Sequence, residues 1–482
     1  MKKVACVVPP FYKLIESKNN RINLGLHYLA EILHLKGHDV TFINGDYGDK
    51  EEPYADRISM FHNSWLFSER YVNGHSSFEK TLSILKSFNP EVVILSAGDV
   101  LLPTVELGSI QSCIYMARKI KEEMGQEIQC IGYGHLLKYA TDSELSFLDS
   151  IITGEGEKDI LDIVEKNIYG KIAERWIDNL DDLPILTDSY LYHKLEPEDW
   201  DYIMARRGCN HKCSFCLQPT MRKTVSLMSP IRLIEEIKYR IENYGLFDFY
   251  FCDSIFLSNT SSRSKELLQG LRTLKDSYSR FTWRAEARVE KDITKDFLAR
   301  MKAAGCRHLK FGVEMLNEKM LKSVNKNIDL TIAERVFKDC QEIGIETTAY
   351  VLLGCPGFQD NDYKKMWGDF KRVNASNYVV NITVPYVGTT LFRKIEKDLK
   401  RDGLFCRGEP GFFHLAKDMQ KYWNISDETL NMYMSLQGKK DDADVRIFRR
   451  KIVDKSYYFK NQEVKYISLE EENDGKKGYV IS

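Results

Sequence analysis

Hydrophobic and polar positions follow two alternating rhythms along the first third of the chain. Val4 to Val8, Val40 to Ile43, Val92 to Leu95, Ile128 to Ile131 and Ser150 to Ile152 are short apolar runs with the length of buried strands. Between them the apolar residues shift to helical spacing. Leu26, Leu29, Ile32 and Leu33 share one side of a helix predicted over Leu24 to Leu35 and closed by Lys36-Gly37-His38. A second helix is predicted from about Ser109 to Met124. Strands alternating with helices predict a parallel doubly wound sheet, and such sheets bind ligands beyond the carboxyl ends of their strands. Pro9-Pro10, Ser96-Ala97-Gly98-Asp99, Gly132-Tyr133-Gly134-His135 and Gly154-Glu155-Gly156-Glu157 fall at those ends.

The alternation restarts near residue 200. Tyr202 to Ala205, Asp248 to Cys252, Phe281 to Ala287, His308 to Phe311, Thr347 to Leu353 and Val379 to Val384 read as strands. Helices are predicted over Ile231 to Tyr244, Ile293 to Ala304 and around Ile332 to Ile343. Six strand–helix units predict a partial (β/α)6 barrel with its chemistry at the strand carboxyl ends. The expected organisation is α/β throughout. A Rossmann-like domain covers 1–165, a linker 166–200, the barrel 201–395, and a small, mainly helical region 396–482. The linker reading rests on the acidic, proline-ended Ile177-Asp178-Asn179-Leu180-Asp181-Asp182-Leu183-Pro184. In the last region Ser426 is a candidate N-cap before Leu430, Tyr433 and Met434; Arg446 to Lys451 is basic and Glu470 to Lys477 polar.

Composition narrows the class without naming it. The 482 residues carry a formal charge of −1, so no overall basic field argues for a nucleic-acid partner. No apolar window is long enough to span a bilayer. An odd count of eleven cysteines and no export signal argue for reduced thiols in the cytoplasm.

Three of those cysteines are close together. Cys209, Cys213 and Cys216 have CxxxCxxC spacing, after an apolar run and Gly208, where a strand passes into a loop. Thiolate-only ligation selects zinc or an iron–sulfur cluster. Structural zinc takes four ligands, commonly as two spaced pairs, and no partner CxxC is present. Three ligands on a 4Fe-4S cluster leave one iron open to an exogenous group.

The run, with Phe215 before its last cysteine, resembles the cluster loop of the radical S-adenosylmethionine (SAM) enzymes. The first half resembles the cobalamin-binding domain of their cobalamin-dependent subfamily, through the PP after the first strand, Asn23-Leu24-Gly25-Leu26 opening the first helix, and the GEGE turn. The LDDLP linker is similar as well. The resemblance implies three cofactors: a 4Fe-4S cluster on the three cysteines, SAM on the open iron, and cobalamin. For SAM it implies contacts at Phe215, Asp253, Arg288, Glu314, Gly354 and Pro356. For cobalamin it implies Pro9, Pro10, Gly25, Ser96, Asp99, Val100, Leu101, Gly132, Gly134, His135, Gly154, Glu155, Gly156 and Glu157, with Asp99, Val100 and Leu101 nearest the lower face. The chain departs from the family pattern in the GYGH turn, which replaces paired glycines, and in Phe358, which replaces a carboxylate. It has no DxHxxG sequence to supply a lower histidine.

The implied activity is methylation of an unactivated carbon through methylcobalamin and a 5′-deoxyadenosyl radical. The expected substrate is a small molecule or peptide, and the expected electron donor is a flavodoxin or ferredoxin. The alternative is a cobalamin-dependent oxidative cyclase or ring-rearranging enzyme. A methylthiotransferase acting on transfer RNA needs three more clustered cysteines, for which Cys6, Cys113 and Cys130 are too dispersed. A non-catalytic cobalamin sensor does not need CxxxCxxC.

Overall fold

The computed structural model describes residues 1–52, 55–56, 69–71, 73–101, 108–257, 261–406, 415–416 and 419–438. The basic stretch from Arg446 and the polar stretch from Glu470 lie outside these residues. Two parallel sheets organise what is described. The first contains β1 (Lys3–Val8), β2 (Asp39–Asn44), β3 (Val92–Ser96), β4 (Gln129–Tyr133), β5 (Ser150–Ile152) and β6 (Gly170–Ile172). Their order is β2-β1-β3-β4-β5-β6, every pairing parallel. Helices on both faces account for the unbroken apolar strands: every residue of β3 and β4 is buried. The chain leaves β1 in one direction and returns at β3 in the other, opening a crevice at the carboxyl ends of the central strands.

Helix α1 (Leu24–Leu35) starts where Asn23 accepts a hydrogen bond from the Leu26 amide at 3.1 Å. Helix α2 (Ser76–Phe88) lies between β2 and β3. It is followed by α3 (Gly108–Glu123) and α4 (Ile160–Lys166). Strand β6 lies within the expected linker, so the first sheet extends into 166–200. The rest of that stretch is not slack: Leu180, Leu183, Leu186 and Tyr190 are buried, and Leu191 bridges to Phe42 of β2.

The second sheet runs β7 (Tyr202–Ile203), β8 (Asp248–Phe251), β9 (Thr282–Ala287), β10 (Cys306–Glu314), β11 (Glu346–Leu353) and β12 (Asn377–Ile382). The strands are parallel and lie in strict chain order. No pairing joins β12 to β7 among the described residues, so the barrel is open. The helices between them are α5 (Pro230–Tyr244), α6 (Ser262–Ser277), α7 (Lys295–Ala303), α8 (Leu330–Ile343) and α9 (Asp360–Val373), and α10 (Thr390–Arg401) follows β12. Helix α5 shows why the punctuation works. Ser229 caps its start, Pro230 occupies the first turn and Gly245 closes it at φ 67°. Helix α11 (Asp427–Met434) follows, with the Ser426 hydroxyl capping it and also donating to Asp360 of α9 at 2.9 Å. No helix of the described residues is long and apolar enough to cross a membrane.

Candidate functional site

The three cysteines lie on a loop between a short hairpin, Arg206–Arg207 paired with Ser226–Leu227, and the helical turn Gln218–Met221. Gly208 enters the loop at φ 86°, with the Thr224 carbonyl where a Cβ would stand, so glycine is required there. The barrel holds the middle of the loop through its backbone. The Ser214 amide donates to the Val324 carbonyl at 2.8 Å, its carbonyl accepts from Leu391 at 2.8 Å, and Asn325 donates to the Lys212 carbonyl at 2.8 Å.

Cys209, Cys213 and Cys216 are all partly exposed. Among the described residues, no group of three His, Cys, Asp or Glu side chains converges on one metal ion. Three thiolates on one loop match three corners of a cubic cluster and are one short of the four ligands of structural zinc.

Five of the six residues expected at SAM lie on the cysteine loop or at the carboxyl ends of β9, β10 and β11. The Arg288 guanidinium stands 4.0 Å from Cys213 Sγ and donates to the Asn327 carbonyl at 2.8 Å. Glu290 lies 3.4 Å from Arg288 and 3.3 Å from His211 of the loop. Glu314 ends β10 at φ 62°, next to a shift in the β10–β11 register after Gly312. A non-glycine residue in that region stores strain and is typical of sites that must aim a side chain. Its carboxylate takes the buried Lys326 ammonium at 2.6 Å, and Lys326 in turn stands 5.9 Å from the Phe215 ring. Gly354, at φ 110°, lies under Trp423, which leaves no room for a Cβ and donates to the Thr383 carbonyl at 2.8 Å. Pro356 follows in the same turn, half-buried.

Asp253 is placed differently. It is fully buried and accepts the Ala205 amide at 3.0 and 3.2 Å, tying β8 to the start of the cysteine hairpin; burial pushes its carboxyl up to about 7.

Lys326 was not singled out in the sequence. It stands in a polar loop after the helical turn Glu318–Ser323, where nothing local marks it. Deeper in the barrel, Tyr250 and Tyr350 both donate to Glu286, whose carboxyl is raised by burial. These lumen groups occupy alternate strand positions, a signal that is readable once the strand register is known.

Gly312 makes the Glu314–Lys326 pair possible, because a Cβ there would lie 2.6 Å from Glu314 Oε1 and 2.7 Å from Lys326 Nζ. Gly312→Ala is therefore expected to push apart the two flexible side-chain ends at little cost in stability. It is also expected to weaken SAM binding, measured by equilibrium dialysis, while cluster content stays unchanged.

The carboxyl ends of β3, β4 and β5 lead into residues that line the cleft beside the cysteine hairpin. A narrow cleft between the halves is lined by Val100, Leu101, His135 and Gly154 from the first and by Met204, Arg206 and Ser254 from the second. A larger recess of about 1100 Å³ opens at the amino-terminal ends of the barrel strands and holds none of the candidate residues, so size alone is a poor guide here.

Several residues expected at cobalamin are engaged within the fold. Asp99 accepts from the amides of Leu24 at 2.9 Å, Gly25 at 3.3 Å and Leu101 at 3.0 Å, so it caps α1 rather than facing the cleft. Pro9 and Pro10 are buried, and the Pro10 ring packs against Gly45. Ser96 accepts from Asn23 at 3.2 Å. Glycines 25, 132 and 134 allow close packing, against Tyr133, Leu148 and Ala97 respectively. His135 is kept neutral by burial, with its pKa lowered to about 3, and its Nε2 lies 3.3 Å from Thr220 after the cysteine loop. Gly156 turns at φ 83°, and Glu155 and Glu157 beside it are bound to arginines of the cysteine hairpin.

Comparison with known proteins follows the same division. A family model described as the Radical SAM superfamily matches residues 204–367. The chain is 22% identical over 360 residues to the anaerobic magnesium-protoporphyrin IX monomethyl ester cyclase of Rubrivivax gelatinosus, covering 68% of this chain and 58% of that protein. It is 28% identical over 206 residues to the bacteriochlorophyllide d C-12(1)-methyltransferase of Chlorobaculum tepidum, covering 40% and 42% respectively. The chain thus spans about half the length of these curated relatives. The radical S-adenosylmethionine methyltransferase TsrM from Kitasatospora setae, solved with cobalamin and a 4Fe-4S cluster, superposes with a TM-score of 0.59 at 14% identity, covering 83% of this chain and 78% of TsrM. That likeness shows a shared fold.

Proposed function

For a chain that carries a radical SAM domain over residues 204–367, we propose the role of a cobalamin-dependent radical SAM enzyme. In this reading it transfers a methyl group to an unactivated carbon of a small molecule or peptide. The observation that carries the proposal is the clasp of one three-cysteine loop between a barrel mouth and the strand ends of a doubly wound domain. When bound, the cofactors would supply an adenosyl radical and a methyl donor.

The chain's own residues bind and orient. Cys209, Cys213 and Cys216 hold three corners of the cluster. Arg288, 10% exposed at its side chain, offers a planar fork suited to the carboxylate of SAM. Phe215 and the Glu314–Lys326 pair wall the mouth. Val100 and Leu101 would offer an apolar wall to a corrin, beside His135, whose Nε2 lies 3.3 Å from Thr220. Holding both cofactors across one cleft removes the entropy of bringing them together and keeps water from the radical.

The oxidative cyclase reading is retained because the cyclase relative aligns with 68% of the chain and the methyltransferase relative with 40%. The methylthiotransferase reading lacks ligands, since Cys6, Cys113 and Cys130 are buried in the first domain. Product analysis separates the first two. Anaerobic protein reconstituted with iron, sulfide and cobalamin, then given SAM, a chemical reductant and candidate substrates, is expected to yield S-adenosylhomocysteine together with 5′-deoxyadenosine. Deoxyadenosine with no S-adenosylhomocysteine would select the cyclase.

A further inference from the structure

The carboxylates of the GEGE turn are taken up by arginines. Glu157 takes Arg207 at 2.7 Å, and Glu155 takes Arg207 at 3.1 Å and also pairs with Arg222. Arg207 lies just before the cysteine loop and Arg222 just after it, so the pairs grip both flanks of that loop. All four residues are more than nine-tenths buried. Arg222 is fixed further by the carbonyls of Ile177 at 2.6 Å and Thr224 at 3.0 Å, and the Ile177 amide returns a bond to Glu155 at 2.9 Å. Two guanidinium and two carboxylate groups balance in charge, which is what allows the set to be buried. Among the described residues Arg207 Nη2 and Glu157 Oε2 have no hydrogen-bond partner.

We infer that Glu155 and Glu157 are positioning residues for the cysteine loop, acting through Arg207 and Arg222. The barrel holds the middle of the loop by backbone hydrogen bonds, and the first domain sets the angle of its two ends. The open corner of the cluster is thereby aimed by a domain that supplies none of the cysteines. The inference rests on the proposed cluster and SAM chemistry but assigns a role that this chemistry does not require, since the barrel already carries every cysteine.

The test uses the full chain, reconstituted anaerobically with iron and sulfide and reduced, with SAM titrated against the electron paramagnetic resonance signal of the cluster. Glu157→Gln is expected to keep its iron and sulfide but to need about tenfold more SAM for half of the spectral change. A loss of folded protein lowers the amplitude of that change, whereas a re-aimed loop moves its midpoint. Should Glu157→Gln fold poorly, the charge-balanced double variant Glu157→Gln with Arg207→Gln serves, and it is expected to show the same shifted midpoint. Variant and wild-type titrations that superimpose overturn the inference alone. A wild-type chain that takes no cluster, or whose signal ignores SAM, overturns it together with the proposed function.

Discussion

Cys213→Ala is expected to abolish the iron centre and stop SAM cleavage while leaving the fold intact. The side chain is partly exposed on a loop whose shape is set by backbone contacts: the Cys213 carbonyl accepts from the Cys216 amide at 3.1 Å, and the neighbouring Ser214 is held by Val324 and Leu391. Alanine keeps all of these. Two thiolates do not hold a cube that already has one open corner, so iron should fall from about four per chain to a trace. Deoxyadenosine formation should fall at least about a thousandfold, because the protein has no other means of making the radical. Iron and sulfide assays, product chromatography and circular dichroism check the three parts. Full iron content in the variant would contradict the assignment of Cys213.

The largest effect on stability is expected from Arg240→Met. Arg240 and Glu236 are completely buried on α5. One guanidinium nitrogen donates to the carbonyls of Trp200 at 2.8 Å and Tyr202 at 2.6 Å, and another to Glu236 at 2.6 Å. Methionine fills the volume but leaves two carbonyls and a carboxylate short of donors, with only Arg232 remaining on Glu236 at 3.2 Å. Breaking a buried pair from one side costs about 3–5 kcal/mol, and the urea midpoint should fall accordingly. Because Trp200 and Tyr202 mark the entry to β7, the loss should also loosen the start of the cysteine hairpin. The exposed pair Glu318–Lys322 makes the contrast, and its removal should leave the midpoint unchanged.

Much of the fold was legible because its boundaries are chemical. Helix α1 runs over the predicted Leu24–Leu35, since Asn23 caps one end and Gly37 turns the other at φ 87°. Strand β5 likewise coincides with Ser150–Ile152. Strand β6 escaped notice because Gly170 and Lys171 are exposed at an edge and only three residues pair, too few for a pattern. Helix α6 was readable in principle, as Leu267, Leu268, Leu271 and Leu274 form its buried stripe.

The site divides in the same way. Cysteine spacing is a local signal and needs no tertiary knowledge. The GEGE turn was equally visible, but the direction of its carboxylates depends on Arg207 and Arg222, which reach it only across the interface between the halves. Asp99 was placed at the right strand end, and its consumption by the α1 amino terminus follows from α1 packing behind it. Lys326 enters the site through packing that no spacing encodes, whereas the Glu286 tyrosines become readable only once the strand register is known.

The central claim is that three thiolates leave one iron free to bind and cleave SAM. The most direct measurement is 5′-deoxyadenosine and methionine release after anaerobically reconstituted wild-type protein is reduced in the presence of SAM. The account predicts both products in equal amounts, and none from Cys213→Ala. SAM recovered intact beside a fully reduced cluster, or zinc in place of iron on the loop, would contradict it.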